Sequence, residues 1–295
     1  MTFSHTAVFD AMFDDAALFP PGDSPMDRAV AAYRHYSHGA LARFTGPLVI
    51  PAARLGELSA LCSGSADAGR VRVSLTFPEG PGGVARSLAA AARVPGLCVA
   101  AVEVGLPKEV SIEEVVVAMA DDLPEDVVAF VEIPRDQRCN TVIAALAESD
   151  VRGKFRTGGV RAELYPGEAE LAAAVGFAVR RGLVFKATAG LHHAVRNTDP
   201  GTGFEQHGFL NLIAAVDAAD GGASDADLET ILANRDETDL AAAVAEIPPA
   251  RVVRVRSQFR SFGTCSVLDP LTDLVRFGLV DALVLPTDPP LQDER

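Results

Sequence analysis

An alternation of short apolar stretches with longer amphipathic ones limits the fold of this chain more than any other feature. From about residue 46, "GPLVIP" precedes "AARLGELSALC", "RVRVSLTF" precedes "GGVARSLAAAARV", "LCVAAVEVGL" precedes "SIEEVVVAMADDL", and "DVVAFVEIP" precedes "CNTVIAALAES". "GKFRTGG" then leads to "GEAELAAAVGFAVRRG", and "LVFKATAG" to "HGFLNLIAAVDAAD". With "ALFP" and "DRAVAAYRHYSHG" at the start and "FRSFGTCS" and "DPLTDLVRFGL" at the end, the pairs number eight. Eight strand–helix pairs predict an α/β fold of the (β/α)8 TIM-barrel type, with parallel strands inside a ring of helices.

The 295 residues suit one such barrel, and no linker or change of composition divides them, so residues 1–295 are expected to form a single domain. "DADLETILANRDE" and "TDLAAAVAEIP" are surplus to the alternation and read as extra helices between strands seven and eight. The last strand begins somewhere between Val252 and Phe259. A doubly wound open sheet is the competing architecture.

Strand side chains alternate between faces, so one anchor orients the rest. In "LVFKATAG" the bulky Leu183 and Phe185 suit the helix-covered outside, which turns Val184, Lys186 and Thr188 inward. In "RGKFRTGG" Phe155 goes outward and Arg152, Lys154 and Arg156 inward, while Glu103 and Glu132 face inward from strands four and five. These side chains lie toward the strand ends from which barrel enzymes build their sites.

The two inward lysines stand out against the rest of the chain. Of 26 basic residues only Lys108, Lys154 and Lys186 are lysine. A permanent buried ion pair is better served by arginine, which stays charged and forks onto carboxylates, whereas lysine suits a site where the amine must sometimes be neutral. A neutral amine attacks a carbonyl to form an imine, and the protonated imine stabilises a carbanion on the adjacent carbon. Free lysine, with a pKa of about 10.4, must be pushed down by burial or a second cation to do this at neutral pH. Repulsion between Lys154 and Lys186, with Arg156 alongside, is expected to depress Lys154, and Glu103 is placed to move protons on the substrate through a water.

Three motifs resemble those of the deoxyribose-phosphate aldolases and related class I, lysine-imine aldolases. "KFRTGG" is similar to that family's sixth-strand motif with its imine-forming lysine, "KATAGL" to the seventh-strand motif with a proton-relay lysine, and "SFGTCSVLDPL" to its phosphate-holding turn after strand eight. The resemblance implies catalytic roles for Lys154 as imine former, Lys186 as relay and Glu103 where the family has an aspartate. Arg156 stands where the family has a small hydroxylic residue, His192 and His193 follow strand seven, and the link to strand eight is longer. These departures imply a different substrate. The expected activity is therefore an aldolase-like lyase, acting without a cofactor on a small phosphorylated or carboxylated carbonyl compound.

Gly190, Gly263 and Ser266 sit near strand-to-helix turns, where backbone N–H groups can hold an anion. Together with Glu132, Arg156, Thr188, His192, His193 and Arg260 they form the candidate substrate-binding set. No metal-binding spacing is present; an alternative is metal-assisted chemistry using His192, His193 and His207 around the polar loop "AVRNTDPGTGFEQ", itself a candidate lid. A second alternative is a barrel that binds an anionic metabolite without turnover, with Arg156 and Arg260 as clamps. The acids Asp14, Asp15 and Asp23 before the first helix fit equally a lining of the top or bottom of the barrel and a solvated turn, and receive no role.

A formal charge of −14, without a compensating basic run, excludes nucleic acid as a partner and leaves a small anionic metabolite held in a cleft. Apolar runs are too short to span a bilayer, and the N-terminus lacks the basic start and apolar core of a signal peptide, so a cytoplasmic location is expected. Cys62, Cys98, Cys139 and Cys265 are far apart and read as reduced. A homo-oligomer is compatible with all of this.

Overall fold

A computed structural model describes residues 5–63 and 70–285. The outer parts of the expected domain, residues 1–4 and 286–295, and the segment 64–69 lie outside the described residues.

Eight parallel strands close into a barrel. They are β1 (Phe13–Asp15), β2 (Thr45–Pro51), β3 (Val71–Phe77), β4 (Leu97–Val104), β5 (Val128–Glu132), β6 (Arg152–Arg156), β7 (Phe185–Thr188) and β10 (Phe259–Thr264), with a small antiparallel ladder of β8 (Asn197–Thr198) and β9 (Glu205–Gln206) set apart. The hydrogen-bonded order β1-β10-β7-β6-β5-β4-β3-β2 is completed by the pairing of β1 with β2. The helices α1 (Met26–Tyr36), α2 (Leu55–Ser63), α3 (Val84–Ala91), α4 (Ile112–Asp122), α5 (Cys139–Ala147) and α6 (Glu168–Arg180) follow the first six strands in turn. After β7 come α7 (Phe209–Asp220), α8 (Asp225–Ala233), α9 (Glu237–Ala245) and α10 (Pro249–Gln258), and α11 (Leu268–Arg276) follows β10. The closed ring rules out the open sheet.

One boundary differs from the sequence expectation, and the structure settles another. The first strand is Phe13–Asp15, not "ALFP". Residues 16–24 instead turn over the barrel mouth, with Ala16 N–H donating to Thr264 and Phe19 N–H to Ala16. Pro20 and Pro21 have no N–H to give to an interior ladder, which keeps that segment out of the sheet. The last strand starts at Phe259 because Pro249 opens one more helix, α10, whose Val252 and Val255 are buried.

Outside the barrel, aromatic rings weld neighbouring strands together. Phe185 packs edge-on to Phe155 at 5.1 Å and stacks on Phe259 at 5.5 Å, while Phe262 stacks on Phe209 of α7 and meets Phe13 edge-on at 5.3 Å. The sequence assigned Phe155 and Phe185 to this face. Their neighbours Lys154 and Lys186 consequently point into the lumen, paired with each other across β6 and β7.

Candidate active site

Six charged side chains from five strands meet inside the barrel and alternate in sign. Asp14 Oδ2 lies 2.5 Å from Lys186 Nζ, which lies 2.7 Å from Glu103 Oε1. Glu103 Oε2 lies 3.4 Å from Lys154 Nζ, and Lys154 Nζ lies 3.1 Å from Glu132 Oε2. Arg156 ends the row, its Nε donating to Glu132 Oε1 at 2.8 Å and its Nη2 to Oε2 at 3.3 Å. Two hydroxyls fix the carboxylates: Ser74 of β3 donates to Glu103 at 2.8 Å and Ser261 of β10 to Asp14 at 2.7 Å. Three carboxylates thus face three cations.

The row runs from a closed end to an open one. The Lys186 side chain is 2% exposed and Lys154 7%, whereas Glu132 is 26% and Arg156 33% exposed. Phe130 forms part of the floor, with Lys186 Nζ 5.5 Å and the Arg152 guanidinium carbon 5.8 Å from its ring centroid.

Burial and charge compete at every member. Burial alone would lower Lys186, but Asp14 and Glu103 outweigh it and raise its pKa above the ordinary lysine value. Burial likewise works to raise Glu103, yet Lys186 and Lys154 bring it down to about 2. Glu132 reaches about 2 in the same way, held by Lys154 and Arg156 against its burial. Burial raises Asp14 from its ordinary value, with Lys186 opposing. The sequence allowed either ion pairs of these lysines with Glu103 or Glu132 or a repelling lysine pair, and favoured the second; Glu103 lies between them, so each amine meets a carboxylate as well as the other cation.

Asp14 was missed, because a strand of three residues with two acids reads as a solvated turn. The usable signal was alternation: Phe13 belongs outside, which turns Asp14 inward. Room for it comes from Gly46 on the neighbouring strand, where a Cβ would fall 2.0 Å from Asp14 Oδ1. Asp15 is buried too, on no ion pair: its Oδ1 accepts from Ala17 N–H, Oδ2 has no partner among the described residues, and burial raises its pKa to about 7.

Other expected members are placed less centrally. Thr188 continues the inward face of β7 beyond Lys186, half-buried and paired with Gly263. Gly190 is a packing residue: at φ +75° it lies against Gly158 and Thr157, where a Cβ would meet backbone atoms at 2.9 Å. Gly263 is within β10 rather than in a turn. Ser266 N–H donates to Thr264 Oγ1 and Ser266 Oγ accepts from Asp269 N–H, so this turn spends its polar groups on itself and sets an acid in the first turn of α11. Arg260 is the second residue of β10, at the opposite end of the barrel from Arg156; it is exposed and donates to the Arg256 carbonyl at the end of α10. It is no clamp for this site, because strand polarity puts residue 260 at the N-terminal end.

The histidines are not gathered. His192 Nδ1 lies 3.3 Å from Cys265 Sγ, His193 Nδ1 lies 3.3 Å from Asp273, and His207 is buried between Arg196 and the Pro166 carbonyl. Burial lowers the pKa of His192 and His207, whereas the bond to Asp273 raises that of His193. Among the described residues no group of three or more His, Cys, Asp or Glu side chains is arranged to hold a metal ion. The loop read as a lid is a hairpin pinned through Glu205 by Arg196 and Arg235. Among the described residues no helix is long and apolar enough to cross a membrane.

No family model and no curated protein matches the chain. Among solved structures, one similar chain is described as a putative fructose-1,6-biphosphate aldolase from Coccidioides immitis, at 11% identity and a TM-score of 0.35, covering 89% of this chain and 78% of that one. Another is the carboxyl transferase domain of Rhizobium etli pyruvate carboxylase, at 11% identity and a TM-score of 0.36, covering 87% of this chain and 49% of that one. Likeness at this level carries no chemistry across. The chain is a closed (β/α)8 barrel on its own strand order.

Proposed function

We propose that this barrel is a lysine-imine lyase that makes or breaks a carbon–carbon bond in a small carbonyl compound. The observation that carries it is the Lys154–Glu103–Lys186 bridge: two lysines at one register on adjacent strands, sharing one buried carboxylate, with Lys154 nearer the open end. Lys154 is the nucleophile. It passes a proton to water at the open end of the row, and its freed electron pair attacks the carbonyl carbon. The carbonyl oxygen takes up protons and leaves as water, giving a protonated imine. In cleavage, the neighbouring carbon–carbon bond breaks and its electrons enter the imine as an enamine, while the hydroxyl proton of the departing carbonyl fragment passes through a water to Glu103. Lys186, held as an ammonium by two carboxylates, keeps Glu103 ionised and ready to accept it.

Borohydride reduction during incubation with a panel of aldehydes and ketones, followed by peptide mass mapping, tests the assignment. A reduced adduct on Lys154, absent from Lys154→Met, is the expected result. Lack of any adduct across the panel would sink the imine mechanism.

The neutrality of the row favours a second reading, a barrel that binds a metabolite without turnover. Lys154→Arg separates the two, since Arg keeps the charge but forms no imine: unchanged ligand binding together with no adduct in the parent protein supports the binding barrel.

A further inference from the structure

Arg156 is the one cation of the row that can change partners without stranding a charge. Lys186 and Lys154 are buried, and each bridges two carboxylates, whereas Arg156 is a third exposed and, among the described residues, bonds to Glu132 alone. If Arg156 lets go, Glu132 still has Lys154 at 3.1 Å. No buried carboxylate is orphaned, so the large penalty for breaking a buried pair is not incurred. Exchanging one carboxylate for another on the same guanidinium also preserves the fork geometry that arginine prefers.

Resting on the imine reading, we infer that Arg156 trades Glu132 for a carboxylate of the substrate, and that the site takes 2-oxo acids rather than phosphorylated carbonyl compounds. Two observations lead there. First, Lys154 and Arg156 project from one face of β6 two residues apart, about 6.6 Å of backbone rise, and both reach the same Glu132 carboxylate. An oxygen pair seated on Arg156 in place of Glu132 is next to Lys154 Nζ, the spacing of a molecule whose carboxylate is bonded directly to its carbonyl carbon. Second, the charges already balance, so the row has one reassignable positive charge, which suits a monoanion and not a phosphate dianion. The turn after β10 adds no compensation, since Ser266 N–H is used internally and Asp269 opens α11.

Ligand-observed NMR titration with propionate, which has a carboxylate and no carbonyl, measures the clamp apart from the imine. Borohydride trapping with pyruvate, dihydroxyacetone and dihydroxyacetone phosphate measures the imine. The expected result is propionate binding that weakens at least tenfold in Arg156→Gln, with pyruvate trapped on Lys154 in preference to both uncarboxylated ketones. Arg156→Lys, which keeps the charge and loses the fork, should fall between and guards against a folding defect in the Gln variant. Failure of propionate to bind, equal binding to Arg156→Gln, or better trapping of the phosphorylated ketone would overturn the inference while leaving imine formation standing. Arg156-dependent propionate binding with no adduct from any carbonyl compound supports the clamp and removes the lyase.

Discussion

The two faces of β6 and β7 are made by alternate residues of the same short strands, and they obey different physics. Outside, Phe155, Phe185 and Phe259 bury rings against one another, a non-directional gain in which each contact is replaceable by something of similar volume. Inside, Lys154 and Lys186 are two links in a row where every member neutralises its neighbours. The outer face is a sum of contacts, and the inner face is a chain whose buried links, Lys154 and Lys186, have no substitute. Single substitutions should therefore cost most on the inside, even though the outside buries more apolar surface.

The largest separation is expected from Glu103→Leu, which leaves Lys154 and Lys186 buried without the carboxylate they share. Removing one partner of a buried pair costs roughly 3–5 kcal/mol, read as a lowered midpoint in urea at neutral pH. A variant as stable as the parent would mean that the row contributes nothing as a unit.

Next comes the pH dependence, where buried acids of two kinds give opposite trends. Glu103 and Glu132 have folded pKa values of about 2, below their ordinary 4.5, so their stabilisation is present above pH 4.5 and is lost as pH falls toward 2. Asp15 is the reverse case: raised from 3.8 to about 7, it contributes stability below pH 3.8 that is lost as pH rises through 7. The penalty at neutral pH is on the order of 4 kcal/mol at most, taking about 1.4 kcal/mol per pKa unit. Stability should peak in mildly acid solution, and Asp15→Asn should be more stable than the parent above pH 7 but not near pH 3.5. Parallel denaturation curves for the two proteins across that range would remove Asp15 as the cause.

Gly46→Ala should cost about 1–3 kcal/mol, the usual range for forcing extra volume into a packed site. It should also weaken Lys186 indirectly, by displacing Asp14. The smallest effect is expected on the outside, where Phe185→Leu should cost about 1 kcal/mol and leave borohydride trapping on Lys154 unchanged. A loss of trapping there would show that the faces are coupled.

What the sequence made legible follows the same division. Alternation placed Phe155 and Phe185 outside and Lys154, Lys186, Glu103, Glu132 and Arg156 inside, because period two is a local property of a strand. β1 stayed hidden because three residues are too few to show a period, and Phe13-Asp14-Asp15 is held in the barrel by its hydrogen bonds to β2 and β10 rather than by its own propensity. Arg260 was misjudged because alternation gives the face of a side chain but not its height along the barrel. The histidines are close in sequence, and only the packing of α7, α11 and their loops shows that they serve separate neighbours. Glu103 and Glu132 were visible as partners for the lysines, but the sharing of Glu103 by both was not, since it depends on how five strands are staggered.

Gly46 carries a consequence for how proteins of this kind are compared. Its contribution is an absence, a hydrogen where any other residue would put a carbon 2.0 Å from Asp14 Oδ1. In a list of chemically capable side chains it scores nothing, yet it sets whether the acid at the far end of the row can occupy the lumen at all. Positions 14 and 46 should therefore vary together among homologues: an acid on the first strand tracks a glycine facing it on the second, and a bulkier residue at 46 marks a barrel whose second lysine has lost one of its two anchors.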